Sequence, residues 1–85
     1  MKVRIRYFAS LREALGTTTE TVELPDTVSS AGDLRAWLRH RGGAWADLLA
    51  DGRAVRVSVA QQMAEAATPI VDGDEVAFFP PVTGG

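Results

Sequence analysis

The chain has 85 residues, 46% hydrophobic and 24% charged, which places it with ordinary single globular domains rather than with disordered or fibrous chains. It contains no cysteine, so disulfides, Cys-ligated zinc, iron–sulfur clusters and thiol nucleophiles are excluded. A single histidine, His40, disfavours a His-based metal site or a Ser-His-Asp triad, and a net charge of −2 disfavours a nucleic-acid binder that works through phosphate contacts. No metal site is expected.

Lys2 to Phe8 alternates, with Val3, Ile5 and Tyr7 on one face and Lys2, Arg4, Arg6 and Phe8 on the other, the pattern of a half-buried strand. Ser10 precedes Leu11, Ala14 and Leu15, and Gly16 stops a short helical turn. Thr19 to Leu24 alternates again, with Val22 and Leu24 inward and Pro25 ending the run.

The main helix follows, capped by Ser29 or Ser30, with Asp33 in its first turn and Gly42-Gly43 as its end. Leu34, Trp37, Leu38 and Arg41 form its inward stripe, and Arg35 and Arg39 face outward. A second short helix is expected over Trp45 to Leu49. Val55, Val57 and Val59 mark a third strand. Gln61 to Ala67 is too short for a stable helix and reads as a short edge strand. Asp72-Gly73-Asp74 is a turn, and Glu75 to Phe79 is the last strand, with Val76 and Phe78 inward.

Pro80-Pro81 cannot continue a central strand, so the chain divides into a domain over residues 1–79 and a tail over residues 80–85. The fold class is α+β, one sheet packed on one main helix. Its expected core is Val3, Ile5, Tyr7, Val22, Leu24, Leu34, Trp37, Leu38, Leu48, Val57, Val59, Ile70, Val76 and Phe78. No segment approaches the ~18 apolar residues of a membrane span, and the N-terminus opens on a strand pattern rather than a signal peptide. A cytoplasmic protein is expected, engaging neither membrane nor nucleic acid.

Two features point to function. With Tyr7 and Phe78 inward, Phe8 and Phe79 emerge on the face that the helix leaves open, where Met63 can join them as a partner patch. The alternative is that Phe8 tucks under the Leu11 turn. The second feature is the Gly84-Gly85 end behind the stiff Pro80-Pro81 pair. Without Cβ atoms it is the narrowest possible chain, suited to carrying a terminal carboxylate into another protein's active site. Nothing basic follows Arg56, so Glu65, Asp72, Asp74 and Glu75 make the C-terminal third acidic. That third is either a docking surface for an activating enzyme or a solvated face with turn aspartates.

The run Asp72-Gly73-Asp74-Glu75-Val76-Ala77-Phe78-Phe79-Pro80-Pro81-Val82-Thr83-Gly84-Gly85 resembles the C-terminal signature of the MoaD-like small subunits of molybdopterin synthase. The opening Val3-Arg4-Ile5-Arg6-Tyr7-Phe8-Ala9, with Leu11-Arg12-Glu13, is similar to that family's first strand and turn. The resemblance implies a ubiquitin-like β-grasp fold with one mixed sheet and a flexible Gly-Gly tail. It also implies a mechanism. An E1-like adenylyltransferase, using its own ATP and magnesium, activates the Gly85 carboxylate, and a sulfur-donating protein converts it to a thiocarboxylate. The tail then enters the synthase large subunit and gives up sulfur for dithiolene formation in molybdenum cofactor biosynthesis. In this reading Gly85 carries the group, Gly84 gives clearance, and Val82 and Thr83 line the threaded segment behind Pro80 and Pro81. Phe8, Met63 and Phe79 match positions that contact the partners.

The resemblance thus implies a sulfur-donor subunit of a heterotetrameric synthase, with no catalysis of its own and no bound cofactor. Ala60 departs from the family, which commonly has asparagine after the third strand. Two alternatives stay open: a modifier conjugated to lysines through Gly85, or a carrier for thiamine synthesis or tRNA thiolation. Lys2 is the only lysine, so chains built on internal lysines would have a single attachment point.

Overall fold

The computed structural model describes residues 1–81, and the expectations for Val82, Thr83, Gly84, Gly85 and the flexibility of the tail fall outside the described residues. Eight elements follow one another along the chain: β1 (Lys2–Tyr7), α1 (Ala9–Leu15), β2 (Thr19–Glu23), α2 (Ala31–Arg39), α3 (Gly43–Leu48), β3 (Arg56–Val59), β4 (Gln62–Ala64) and β5 (Glu75–Phe79). The five strands form one sheet in the order β2-β1-β5-β3-β4. β1 and β5 pair in parallel at its centre, with Ile5 opposite Val76 and Tyr7 opposite Phe78, and the other neighbours run antiparallel. This mixed sheet with one main helix is the ubiquitin-like β-grasp arrangement.

The strand alternation works as read. Val3, Ile5 and Tyr7 are buried while Lys2, Arg4 and Arg6 are exposed, and Val76 and Phe78 join the core from β5. β1 stops one residue early because Phe8 becomes the N-cap of α1, its N–H bonded to the Phe78 carbonyl at 3.1 Å. Gly16 ends α1 at φ 69°, in the left-handed region that glycine adopts without a Cβ clash, and its N–H reaches the Arg12 carbonyl at 3.0 Å.

Ser30 caps α2, its hydroxyl accepting from the Asp33 N–H at 3.1 Å, and the Asp33 carboxylate accepts in return from the Ser29 N–H at 3.1 Å. The next two N–H groups of the helix, Ala31 and Gly32, donate to the Thr68 and Ala66 carbonyls of the loop before β5, both at 2.9 Å. The first three N–H groups within the helix thus all acquire partners, two of them from the loop that lies across its start. Ala31, Leu34 and Leu38 are the fully buried residues of α2.

Several expectations need correction. α2 ends at Arg39, and Gly42 caps α3 instead of closing α2. Trp37, Leu48 and Val57 are half-buried at the rim of the core, while Leu11, Val28, Ala31 and Leu49 lie inside it. Leu49 is the C-cap of α3, its N–H bonded to the Trp45 carbonyl, and it is fully buried. Arg35 does not face outward. Its guanidinium donates to the carbonyls of Leu49, Ala50 and Arg53 at 2.7–2.8 Å, satisfying acceptors that the end of α3 leaves free. β4 is the expected short edge strand, joined to β3 by a two-residue turn in which Ala60 and Gln61 have φ of 50° and 67°.

Candidate functional site

The outward face of the sheet carries the residues that the inward face cannot use. Phe8 and Phe79 meet there with ring centroids 4.8 Å apart and planes inclined by 11°, an offset stack rather than a burial under α1. Met63 stands beside them at 57% exposure, which is large for an apolar side chain on a sheet. Together with Ala9, Arg56 and Pro80 these three line a shallow, mostly apolar depression of about 330 Å³. The sequence therefore anticipated the trio, and the fold brings it to one place.

Two residues of the site escaped sequence reading. Ser58 and Ala77 lie opposite each other on β3 and β5, both nearly buried although both point outward. Being small, they form the floor of a second hollow of about 250 Å³ that adjoins the first, walled by Arg6, Glu75, Gln61, Met63, Phe8 and Phe79. The available signal was small residues at outward positions of central strands, flanked by large ones.

The chain leaves this face through Phe79 and Pro80. Pro80 is half-buried against the depression and Pro81 is exposed, so the tail begins at the edge of the aromatic pad. Ala9, on the same rim, holds φ 52°, a conformation that costs a non-glycine residue roughly 1–2 kcal/mol. Strained backbone of this kind concentrates where position matters more than stability.

The acidic C-terminal third divides. Asp72 accepts from the Lys2 N–H at 2.7 Å and Asp74 from the Val71 N–H at 2.9 Å, so both hold the turn before β5. Glu75 pairs with Arg6 at 3.2 Å, and the Arg6 guanidinium lies 5.0 Å from the Phe8 ring centroid. Both aspartates thus take the expected turn role.

The perturbed ionisable groups lie at the opposite side of the sheet. Tyr7 donates to Glu20 at 2.8 Å, and Arg41 grips Glu20 with two bonds of 2.8 and 2.9 Å. Burial, then the bond to Glu20, pushes the Tyr7 hydroxyl far above the ordinary phenol range. Burial alone would raise the Glu20 carboxyl, but the Arg41 and Tyr7 bonds outweigh it and hold it below its usual value. The bond to Glu20, against the opposing pull of burial, raises Arg41. The Arg41 guanidinium also sits 4.5 Å from the Trp45 ring and 5.5 Å from that of Trp37. This network ties the end of α2 to β1 and β2 and is structural.

Among the described residues no cluster of three or more His, Asp or Glu side chains could hold a metal, and no helix is long and apolar enough to cross a membrane. What the geometry offers is an apolar pad where the chain leaves the sheet through Phe79 and Pro80, on a ubiquitin-like fold of the kind carriers and modifiers share. The comparisons narrow this class. The chain matches the ThiS family over residues 5–85 and belongs to it. It is 37% identical over 83 residues to the molybdopterin synthase sulfur carrier subunit of Escherichia coli, covering 98% of this chain and 99% of that protein. It is 32% identical over 92 residues to the small archaeal modifier protein 3 of Haloferax volcanii, covering 100% of both. The crystal structure of SAMP1 from Haloferax volcanii superposes along the whole of both chains, with a TM-score of 0.77 at 27% identity.

Proposed function

We propose that this chain is a sulfur carrier subunit of a molybdopterin synthase. The observation that carries the reading is its near end-to-end likeness to the Escherichia coli sulfur carrier subunit, reinforced by the Phe8, Met63 and Phe79 pad at the root of a Gly84-Gly85 terminus. An E1-like enzyme, with its own ATP and magnesium, joins the Gly85 carboxylate oxygen to the α-phosphorus of ATP and releases pyrophosphate. The persulfide sulfur of a sulfur-donating protein then attacks the acyl carbon and expels AMP, and a thiol cleaves the resulting acyl disulfide, forming a disulfide with the donor and leaving a Gly85 thiocarboxylate.

The pad docks on the synthase large subunit while Val82, Thr83 and Gly84 thread its pocket. There the thiocarboxylate sulfur bonds to the pterin, and water cleaves the resulting thioester, so that the sulfur stays on the pterin and Gly85 returns as a carboxylate. The chain itself supplies the carrier group and the docking surface, with no bound cofactor and no catalytic side chain. The setting is the cytoplasm.

Co-expression with the activating enzyme tests this reading. Intact-mass measurement should show one sulfur in place of one oxygen on the full chain. The same exchange should be lost when Gly85 is deleted, with the melting curve unmoved. A truncated chain that still acquires sulfur overturns the reading. A second reading, attachment to lysines of other proteins, is favoured by the likeness to the archaeal modifier protein. It requires covalent adducts of this chain in the same experiment.

A further inference from the structure

The outward face of β1 has a feature that neither the aromatic pad nor the tail explains. Lys2, Arg4 and Arg6 stand there in a column at intervals of roughly 7 Å, the two-residue step of a strand. Exposed cations often protect the edges of sheets, but β1 is an interior strand, flanked by β2 and β5, so that role does not apply. Nor does ion pairing account for the column. Arg4 lies in register with Thr21 on one side and Glu75 on the other, yet the Glu75 carboxylate goes to Arg6. Among the described residues, the Lys2 and Arg4 side chains make no ion pair.

The charge of this face also runs against that of the chain. Lys2, Arg4, Arg6 and Arg56 share it with two carboxylates, Glu23 and Glu75, in a protein whose net charge is −2. Asp72 and Asp74 accept from the backbone N–H groups of Lys2 and Val71, and neither forms an ion pair with a side chain of the column. Arg6 joins the column to the pad, since it touches Glu75 and lies over Phe8. The two surfaces are continuous.

We propose that Lys2 and Arg4, continued by Arg6, form an electrostatic rail that meets an acidic rim beside the apolar socket of the synthase large subunit. The inference rests on the carrier reading and names the chemistry of the partner surface at that same site. Because these charges are exposed and each lies within one screening length of its neighbour in the column, ~10 Å at 0.1 M salt, they act together, and mainly before contact. The rail therefore governs how fast the complex forms, and the pad governs how long it lasts.

The test is the Lys2→Gln/Arg4→Gln double variant, mixed with the large subunit and followed by stopped-flow or surface binding at two ionic strengths. At low salt the association rate should fall about threefold to tenfold, and at about 1 M salt, where screening shortens to ~3 Å, the difference should vanish. The dissociation rate and the melting temperature should stay as they are. An unchanged or faster association at low salt, or a loss confined to dissociation, overturns the rail and leaves the carrier reading intact. A wild-type chain that does not bind the large subunit at all overturns the carrier reading, and the rail falls with it.

Discussion

The two faces of the sheet are built from alternate residues of the same strands, yet they obey different rules. Inward, Ile5, Tyr7, Val76 and Phe78 are at most 1% exposed and pack beneath α2. Outward, Phe8, Met63 and Phe79 remain half-buried or exposed, and the charges beside them are only partly paired. The inward face is determined by what this chain can satisfy alone. The outward face keeps apolar and charged groups that the chain does not satisfy by itself, and the proposed docking role rests on that contrast.

The sharpest way to break the comparison is to truncate neighbouring residues that fall on opposite faces. Phe78→Ala should cost about 3–5 kcal/mol of stability, as large-to-small changes at fully buried aromatics do, read as a large fall in melting temperature. Phe79→Ala should leave stability within about 1 kcal/mol and instead weaken binding to the large subunit by about 2 kcal/mol or more. Equal losses of stability from both would erase the distinction between the faces.

A second test probes the polar lock at the rim of the core. The Glu20 carboxyl is held below its ordinary value in the folded state, so its contribution is present above the unfolded pKa and is lost as pH falls through the folded one. Glu20→Gln should cost about 2 kcal/mol at neutral pH. It should also flatten the acid side of a stability profile, because the titrating group is gone. Chemical denaturation from pH 7 down to pH 3 shows both effects, and a variant with the wild-type acid slope would contradict the assignment.

The smallest effect concerns the hairpin beside the pad. Ala60 and Gln61 both adopt positive φ, the geometry of a primed two-residue turn, which asparagine and glycine tolerate far better. Ala60→Asn should raise stability by about 1 kcal/mol without altering partner binding. A melting curve and a binding titration decide it.

This turn also shows where sequence reading stopped. Alternation gave away β1, β2, β5 and the outward phenylalanines, because burial imposes a strict period of two on any half-covered strand. Ala60 registered only as a departure from a family pattern, since alanine carries no sign of a left-handed backbone. Arg35 read as solvent-facing because its helical position does. Its acceptors come from carbonyls 14–18 residues away that no periodicity reveals. Ser58 and Ala77 were invisible for a related reason. Their burial depends on larger neighbours distant in sequence, Arg6 and Phe8 from one side and Met63 from the other, closing over them.

The placement of the tryptophans has a practical consequence. Trp37 and Trp45, the only two in the chain, both contact Arg41, and Trp45 lies edge-on to Tyr7 at 5.3 Å. Neither lines the hollows around Phe8 and Phe79. The protein's own emission is therefore an optical reporter of the Glu20–Arg41 lock and of unfolding, and it is blind to events on the opposite side of the sheet. A fluorescence melt will register damage to the inward face faithfully, whereas capture by a partner should leave this chain's own tryptophan emission unchanged, so that binding is followed through the partner or through a label near Met63.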